Sequence, residues 1–124
     1  MPIRILLADD HTIMRQGLRQ ILEHEADFAI VSEAGSGLEA IERAQEHQPD
    51  VAVVDIGLGP ENGFDLAVYL CNVGVVVIMV SAASAADYAA LLDESPAAGF
   101  LPKTELSAAG ILRILRRASG RQER

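Results

Sequence analysis

A run of four apolar residues, Val51-Ala52-Val53-Val54, ends on an acid, Asp55. A turn-rich segment follows, Ile56-Gly57-Leu58-Gly59-Pro60-Glu61-Asn62-Gly63. Three valines in four residues, with nothing polar among them, read as a strand buried on both faces. A carboxylate at the end of such a strand is costly unless it emerges into a site. The glycines and proline beyond it require the strand to stop and turn. Ligands of open α/β sheets bind just outside the carboxyl ends of the strands. Asp55 is therefore the candidate reactive centre, and the rest of the chain is read as its scaffold.

The same alternation recurs on either side. Ile3 to Ala8 is an apolar run broken only by Arg4 and closed by Asp9-Asp10. Met14, Leu18, Ile21 and Leu22 then fall at helical spacing, with Gly17 in their midst, a residue that suggests close packing. Phe28 to Ser32 is a second strand. Ser36, within Gly35-Ser36-Gly37, is a candidate cap for a helix with Leu38, Ile41 and Ala44 as its stripe and Glu39–Arg43 as an exposed pair. That helix ends at Gln48-Pro49, because the residue before a proline is pushed out of the α region. After the central strand come a helix over Phe64 to Asn72, facing the core with Leu66, Ala67 and Leu70, and a break at Gly74. Val75 to Val80 is a strand closed by Ser81, Ala85 to Asp93 a helix, and Gly99 to Leu101 a short strand followed by Pro102 and Lys103. A last helix carries Ile111, Leu112, Ile114 and Leu115, capped by Thr104 or Ser107. Five β-α units with right-handed crossovers imply an α/β fold, a five-stranded parallel sheet with helices on both faces.

Length and charge narrow the function. With 124 residues, half of them apolar and 4% aromatic, one domain has a core of Val, Ile, Leu and Ala. No apolar run is long enough to span a membrane, and the first is too short for a signal peptide. The lone cysteine, Cys71, excludes an internal disulfide, fits a reducing cytoplasm and reads as a small packing residue. The net charge is −8, yet residues 113–124 hold five arginines against one glutamate, so the first 112 residues carry −12. A body this acidic argues against nucleic-acid binding by these residues.

With a strand order of 2-1-3-4-5, Asp9, Asp10, Asp55, Ser81 and Lys103 converge at one edge of the sheet. Taken singly, each has a plain explanation: an aspartate caps a helix, a serine makes a turn, a lysine is solvated. Together they are more specific. Three carboxylates in one cleft need more than one lysine, since two unit charges 4 Å apart repel by about 4 kcal/mol at an effective dielectric of 20. Mg²⁺, a hard ion content with few carboxylates and several waters, is the natural counter-charge. A carboxylate beside it is a nucleophile toward phosphorus, provided a cation and a hydroxyl donor stand on the far side. Lys103 and Ser81 suit those two roles.

These residues closely resemble a receiver domain of bacterial two-component response regulators. The resemblance covers residues 2 to 118. It rests on Ile-Leu-Leu-Ala-Asp-Asp-His, on the Asp55 strand with Gly63 eight residues on, on Val-Ser-Ala closing the fourth strand, and on Gly-Phe-Leu-Pro-Lys. Asp-Asp-His followed by Arg15-Gln16-Gly17-Leu18, with Pro-Lys-Thr-Glu-Leu, is most similar to the NarL/FixJ (LuxR-type) subfamily. The resemblance implies a flavodoxin-like (βα)5 three-layer sandwich and phosphoryl transfer from a sensor histidine kinase to Asp55. By the same carry-over Asp10, Asp55 and the backbone carbonyl of Gly57 bind Mg²⁺ directly, and Asp9 helps through water. Ser81 hydrogen-bonds the phosphoryl group, Lys103 pairs with it, and Phe100 is the switch aromatic that turns inward as Ser81 moves. The surface of the fourth helix, last strand and last helix, with Tyr88, Ala89 and Leu92, is then the expected responder and the expected site of phosphorylation-linked homodimerisation.

Three features depart from the family pattern. Gly59 stands where the family carries proline, with Pro60 one later. Thr104, not proline, follows Lys103, which leaves the isomer of that bond open. The connection after the third helix is short. Residues 1–118 are read as the receiver and 119–124 as a tail or the start of a linker. Regulators of this subfamily carry a DNA-binding domain for transcriptional output, and the expectation is that the segment was cut from such a protein, a stand-alone receiver being the alternative. Two other functions compete with this one. The Gly59-Pro60 loop motivates a phosphorylation-independent interaction module, against which the complete acidic set argues. A phosphohydrolase commonly needs a second acid two residues after the nucleophile, where this chain has Gly57, so chemistry beyond its own phosphorylation and dephosphorylation is not expected.

Overall fold

Five β-α pairs follow one another along the chain: β1 Ile3–Ala8 and α1 Thr12–Glu23, β2 Phe28–Ala34 and α2 Gly37–His47, β3 Val51–Asp55 and α3 Gly63–Asn72, β4 Val76–Ser81 and α4 Ala89–Glu94, β5 Gly99–Pro102 and α5 Ala108–Gln122. They are seen in a computed structural model that describes residues 2–58, 63–82 and 85–122. The strands form one parallel sheet in the order β2-β1-β3-β4-β5, as anticipated. The central position of β3 explains its composition: all five residues from Val51 to Asp55 are buried.

Strand alternation divides the core into two layers. Ile5, Leu7, Val53, Ile78 and Val80 face the α1 and α5 side, where Leu18, Leu22, Ile111 and Ile114 cover them. Leu6, Ala52, Val54, Val77 and Met79 face the α2 and α3 side, against Ala40, Ala44, Leu66, Ala67 and Leu70. Each layer is built almost wholly from aliphatic side chains, as the low aromatic content requires. Of the two caps considered for α5, Ser107 is the one used: its Oγ accepts from the Gly110 N–H at 3.0 Å.

The helices hold the departures from the sequence reading. In α1 the buried stripe narrows to Leu18 and Leu22, while Met14 and Ile21 stand exposed. Gly17 has no close neighbour either: a Cβ placed there meets nothing within 4 Å. In α2 the small residues Ala40 and Ala44 turn inward and Leu38 is 62% exposed. Glu39 does not pair with Arg43. Its carboxylate accepts from the Gly35 N–H at 2.8 Å while Ser36 Oγ accepts from the Glu39 N–H at 3.1 Å, a reciprocal capping box. Arg43 lies instead 3.5 Å from Glu46. α2 ends as expected before Pro49, with Gln48 in the left-handed region at φ 47°. The fourth helix is shorter than its alanine-rich sequence suggests. Ala85–Tyr88 form a 3-10 turn and only Ala89–Glu94 are α-helical. Tyr88 does not lie open on a surface: it is half-buried, its ring 6.3 Å from that of Phe64 on α3. At the carboxyl end, α5 continues through 119–122 where irregular chain was expected.

Candidate functional site

Asp9, Asp55 and Ser81 are buried as whole residues, at 1%, 4% and 5% exposure, and all three lie at the carboxyl ends of strands. Asp9 follows β1, its N–H still donating to the Ala34 carbonyl at 3.0 Å. Asp55 ends β3 and Ser81 ends β4 opposite Pro102. Lys103 leaves β5 and reaches back across the sheet edge, its side chain 5% exposed. Its ammonium stands 2.8 Å from Asp9 Oδ2 and 3.3 Å from Asp55 Oδ2. Asp10 is the exposed member of the set. The strand order thus brings Asp9, Asp10, Asp55 and Lys103 together, with Ser81 at the end of the strand beside β3.

Local backbone geometry sets the orientation of Asp55. The Gly57 N–H donates to Asp55 Oδ1 at 3.1 Å, which leaves Oδ2 toward Lys103. Gly63, the first residue of α3, packs on the backbone of the acceptor itself: a Cβ there would lie 2.4 Å from the Asp55 carbonyl oxygen. The Gly63 N–H donates to the Ile56 carbonyl at 2.9 Å, which ties the helix start to the strand end. The Gly59-Pro60 departure falls outside the described residues. Among the described residues no peptide bond is cis, so Lys103–Thr104 is trans. Phe100, opposite Met79 on β5, is half-buried against the α2 and α3 side of the core.

The charges do not balance within the protein. Burial pushes the Asp55 carboxyl above its ordinary range and the Asp9 charge adds to this, against the opposing pull of the Gly57 N–H and of Lys103. Burial alone would lower the Lys103 ammonium, but its hydrogen bond to Asp9 and the charges of Asp55 and Asp9 outweigh it, and the net direction is up. One cation therefore faces two buried carboxylates and the exposed Asp10. Asp9 Oδ2 is buried and faces the Lys103 ammonium at 2.8 Å. Asp9, Asp10, His11 and Asp55 each offer one ligand atom, all within 4.8 Å of one another. An oxygen-rich, charge-deficient cluster of this kind fits a hard divalent cation such as Mg²⁺.

Two neighbours of the site were not picked out from the sequence. His11 turns Nδ1 onto the carboxylates, 3.0 Å from Asp10 Oδ1, 3.3 Å from Asp9 Oδ1 and 3.8 Å from Asp55 Oδ2. Its place directly after the acidic pair was the available signal. Arg15, on α1, folds back so that Nη1 donates to the Asp9 carbonyl at 2.6 Å and Nε to Glu33 at 3.1 Å. Nothing in helical spacing announces that contact.

The chain belongs to the response regulator receiver domain family, whose model matches residues 5–115. It is 34% identical over 105 residues to the nitrate/nitrite response regulator protein NarP of Escherichia coli K12, a match covering 82% of this chain and 48% of that protein. The signal receiver domain of the response regulator NarL from Mycobacterium tuberculosis superposes with a TM-score of 0.77 at 29% identity, covering 91% of this chain and 96% of that one. A LuxR-family two-component response regulator from Aurantimonas sp. SI85-9A1 superposes with a TM-score of 0.83 at 26% identity, over 97% of this chain and 87% of that one. The expected likeness to NarL- and LuxR-type receivers is thereby met. The chain spans half or less of the length of the curated relatives it matches. Among the described residues no helix is long and apolar enough to cross a membrane.

Proposed function

We propose that this receiver accepts a phosphoryl group from a sensor histidine kinase on Asp55 and relays its presence to an output. The observation that carries the reading is the buried Lys103 ammonium, held between Asp9 and Asp55 at 2.8 and 3.3 Å although 48 residues separate it from the acceptor. A lysine in that position supplies positive charge to phosphoryl oxygens arriving at Asp55. Asp10, Asp55 and the Gly57 carbonyl would hold Mg²⁺, with Asp9 acting through water. The ion, when bound, screens the incoming phosphoryl oxygens from the carboxylates.

The remaining work falls to the protein's own groups. The Gly57 N–H keeps the Asp55 carboxylate in one orientation. Ser81 and Lys103 contact the phosphoryl group, which adds up to two negative charges to an already acidic pocket. The movement of Ser81 opens space into which Phe100 turns, and the α4-β5-α5 surface changes its shape and serves as the homodimer face. Two packings of one surface interconvert in this way when they differ by a few kcal/mol. Residues 1–118 act as the receiver, with 119–124 leading toward an output domain. Likeness to the transcriptional regulatory protein PdtaR of Mycobacterium tuberculosis supports transcription as that output, with DNA contacted by the output domain alone. The setting is the cytoplasm, and the chemistry is limited to gain and loss of the aspartyl phosphate.

The test is intact-protein mass after incubation with Mg²⁺ and acetyl phosphate, beside Asp55→Asn. One phosphate adduct on the parent and none on the variant is the expected result. A folded protein that binds Mg²⁺ but takes no phosphate from several donors overturns the phosphoacceptor reading. Failure to bind Mg²⁺ as well would leave a phosphorylation-independent interaction module.

A further inference from the structure

His11 is placed as a ligand. We propose that its Nδ1 is a nitrogen donor to the cation at Asp9, Asp10 and Asp55, so that the site takes imidazole-accepting first-row transition ions such as Ni²⁺ more tightly than Mg²⁺. The inference rests on the reading that those carboxylates hold a divalent cation.

Two observations carry it. The first is spacing. Donors about 2.0–2.2 Å from a shared ion stand about 3–4.4 Å from one another. Nδ1 lies 3.0, 3.3 and 3.8 Å from carboxylate oxygens of Asp10, Asp9 and Asp55, and all four donors fall within 4.8 Å. The second is how the ring is held. His11 occupies the N-cap position of α1 in an extended conformation, yet its side chain makes no capping hydrogen bond. Its backbone N–H donates to Asp9 Oδ1 at 2.9 Å, which fixes the residue beside the carboxylates and turns Nδ1 inward although the side chain is 65% exposed.

The chemistry then separates the ions. Mg²⁺ prefers oxygen and keeps its waters, so an added imidazole does little for it. Ni²⁺ and Zn²⁺ accept imidazole nitrogen readily and lie higher in the divalent affinity series. Lys103 stands 3.3 Å from Asp55 Oδ2, the oxygen that His11 Nδ1 approaches at 3.8 Å, so the ammonium and a cation held by His11 share that carboxylate.

The experiment compares Ni²⁺ and Mg²⁺ affinity by calorimetric titration of the parent and His11→Ala, with Asp10→Asn/Asp55→Asn defining binding elsewhere on the chain. The Ni²⁺-to-Mg²⁺ affinity ratio is expected to fall about tenfold or more in His11→Ala, the scale on which metal sites respond to loss of a supporting histidine. Proton NMR of the Ni²⁺-loaded parent should also show hyperfine-shifted imidazole ring signals that His11→Ala lacks. A ratio unchanged within about twofold, with both ions still bound at the acidic site, overturns the role of His11 and leaves the metal site standing. A parent that binds neither ion above the double-variant background overturns the metal site and this inference with it.

Discussion

Gly63 is pressed onto Asp55: the methyl it lacks would lie 2.4 Å from the Asp55 carbonyl oxygen and 3.1 Å from the Ile56 Cα. Both neighbours are backbone, at the end of a strand buried on both faces, so neither can move aside. The first turn of α3 and the orientation of the acceptor strand are thus fixed by one missing side chain. Gly63→Ala should therefore destabilise the protein by about 1–3 kcal/mol, the cost of overpacking, although helix propensity alone would favour alanine by about 1 kcal/mol. Chemical denaturation reads the sign directly, and a neutral or stabilised variant would refute the close approach.

Gly17 makes the opposite case. It lies inside α1 with nothing within 4 Å of an added Cβ. Gly17→Ala should stabilise by about 0.5–1 kcal/mol through the lower entropy of the unfolded chain and better helix propensity. A loss of stability would mean that α1 packs against something at that position.

Lys103 neutralises charge that cannot reach water. Asp9 and Asp55 are almost wholly buried, and Lys103→Met leaves both without their cation. Removing one partner of a buried ion pair costs about 3–5 kcal/mol. A loss of that order is expected in EDTA at neutral pH. It should shrink on adding Mg²⁺, which replaces the missing charge, and on acidification, which protonates the carboxylates. Thermal melts across pH with and without Mg²⁺ test all three arms.

Asp55 costs stability when no metal is bound. Its carboxyl is held above the ordinary range, chiefly by burial. For an acid shifted upward on folding, stability is full below the unfolded-state pKa and is lost as pH rises through the folded-state pKa. Asp55→Asn keeps an acceptor for the Gly57 N–H and removes the charge. It should stabilise the metal-free protein at neutral pH, with Lys103 still paired to Asp9, and the gain should fade below the unfolded-state carboxyl pKa. Excess Mg²⁺ should narrow the difference, since only the parent gains the full stabilisation of a bound cation. Melts in EDTA that show Asp55→Asn less stable than the parent at neutral pH would contradict the electrostatic account.

The strands and the acidic edge were legible because of where parallel strands sit. Covered on both faces, β3 and β4 must be continuous apolar runs, and the chemistry-bearing residues must stand where those runs end. One topological rule then brings Asp9, Asp55, Ser81 and Lys103 together without knowledge of any contact. The helices gave less. A helix with apolar residues around much of its circumference leaves the phase of its buried stripe open. Packing chose Ala40 and Ala44 over Leu38 because small residues let α2 lie close to the sheet, and it left Met14 and Ile21 outside. The capping box at Ser36 and Glu39 was half visible, since the serine signals a cap but the glutamate has two local partners to choose from.

That Asp9, Asp55 and Ser81 stand at the ends of strands follows from the sequence, since periodicity is a property of the chain itself, while the order of those strands came with the resemblance to receiver domains. The direction a side chain takes from its backbone is decided by neighbours distant in sequence. His11 turning onto three carboxylates, Arg15 folding back to the Asp9 carbonyl, and the difference between the indispensable Gly63 and the replaceable Gly17 therefore belong to the tertiary structure. Two glycines carry the same information in one dimension. Only the packed sheet places a carbonyl against one of them and open space beside the other.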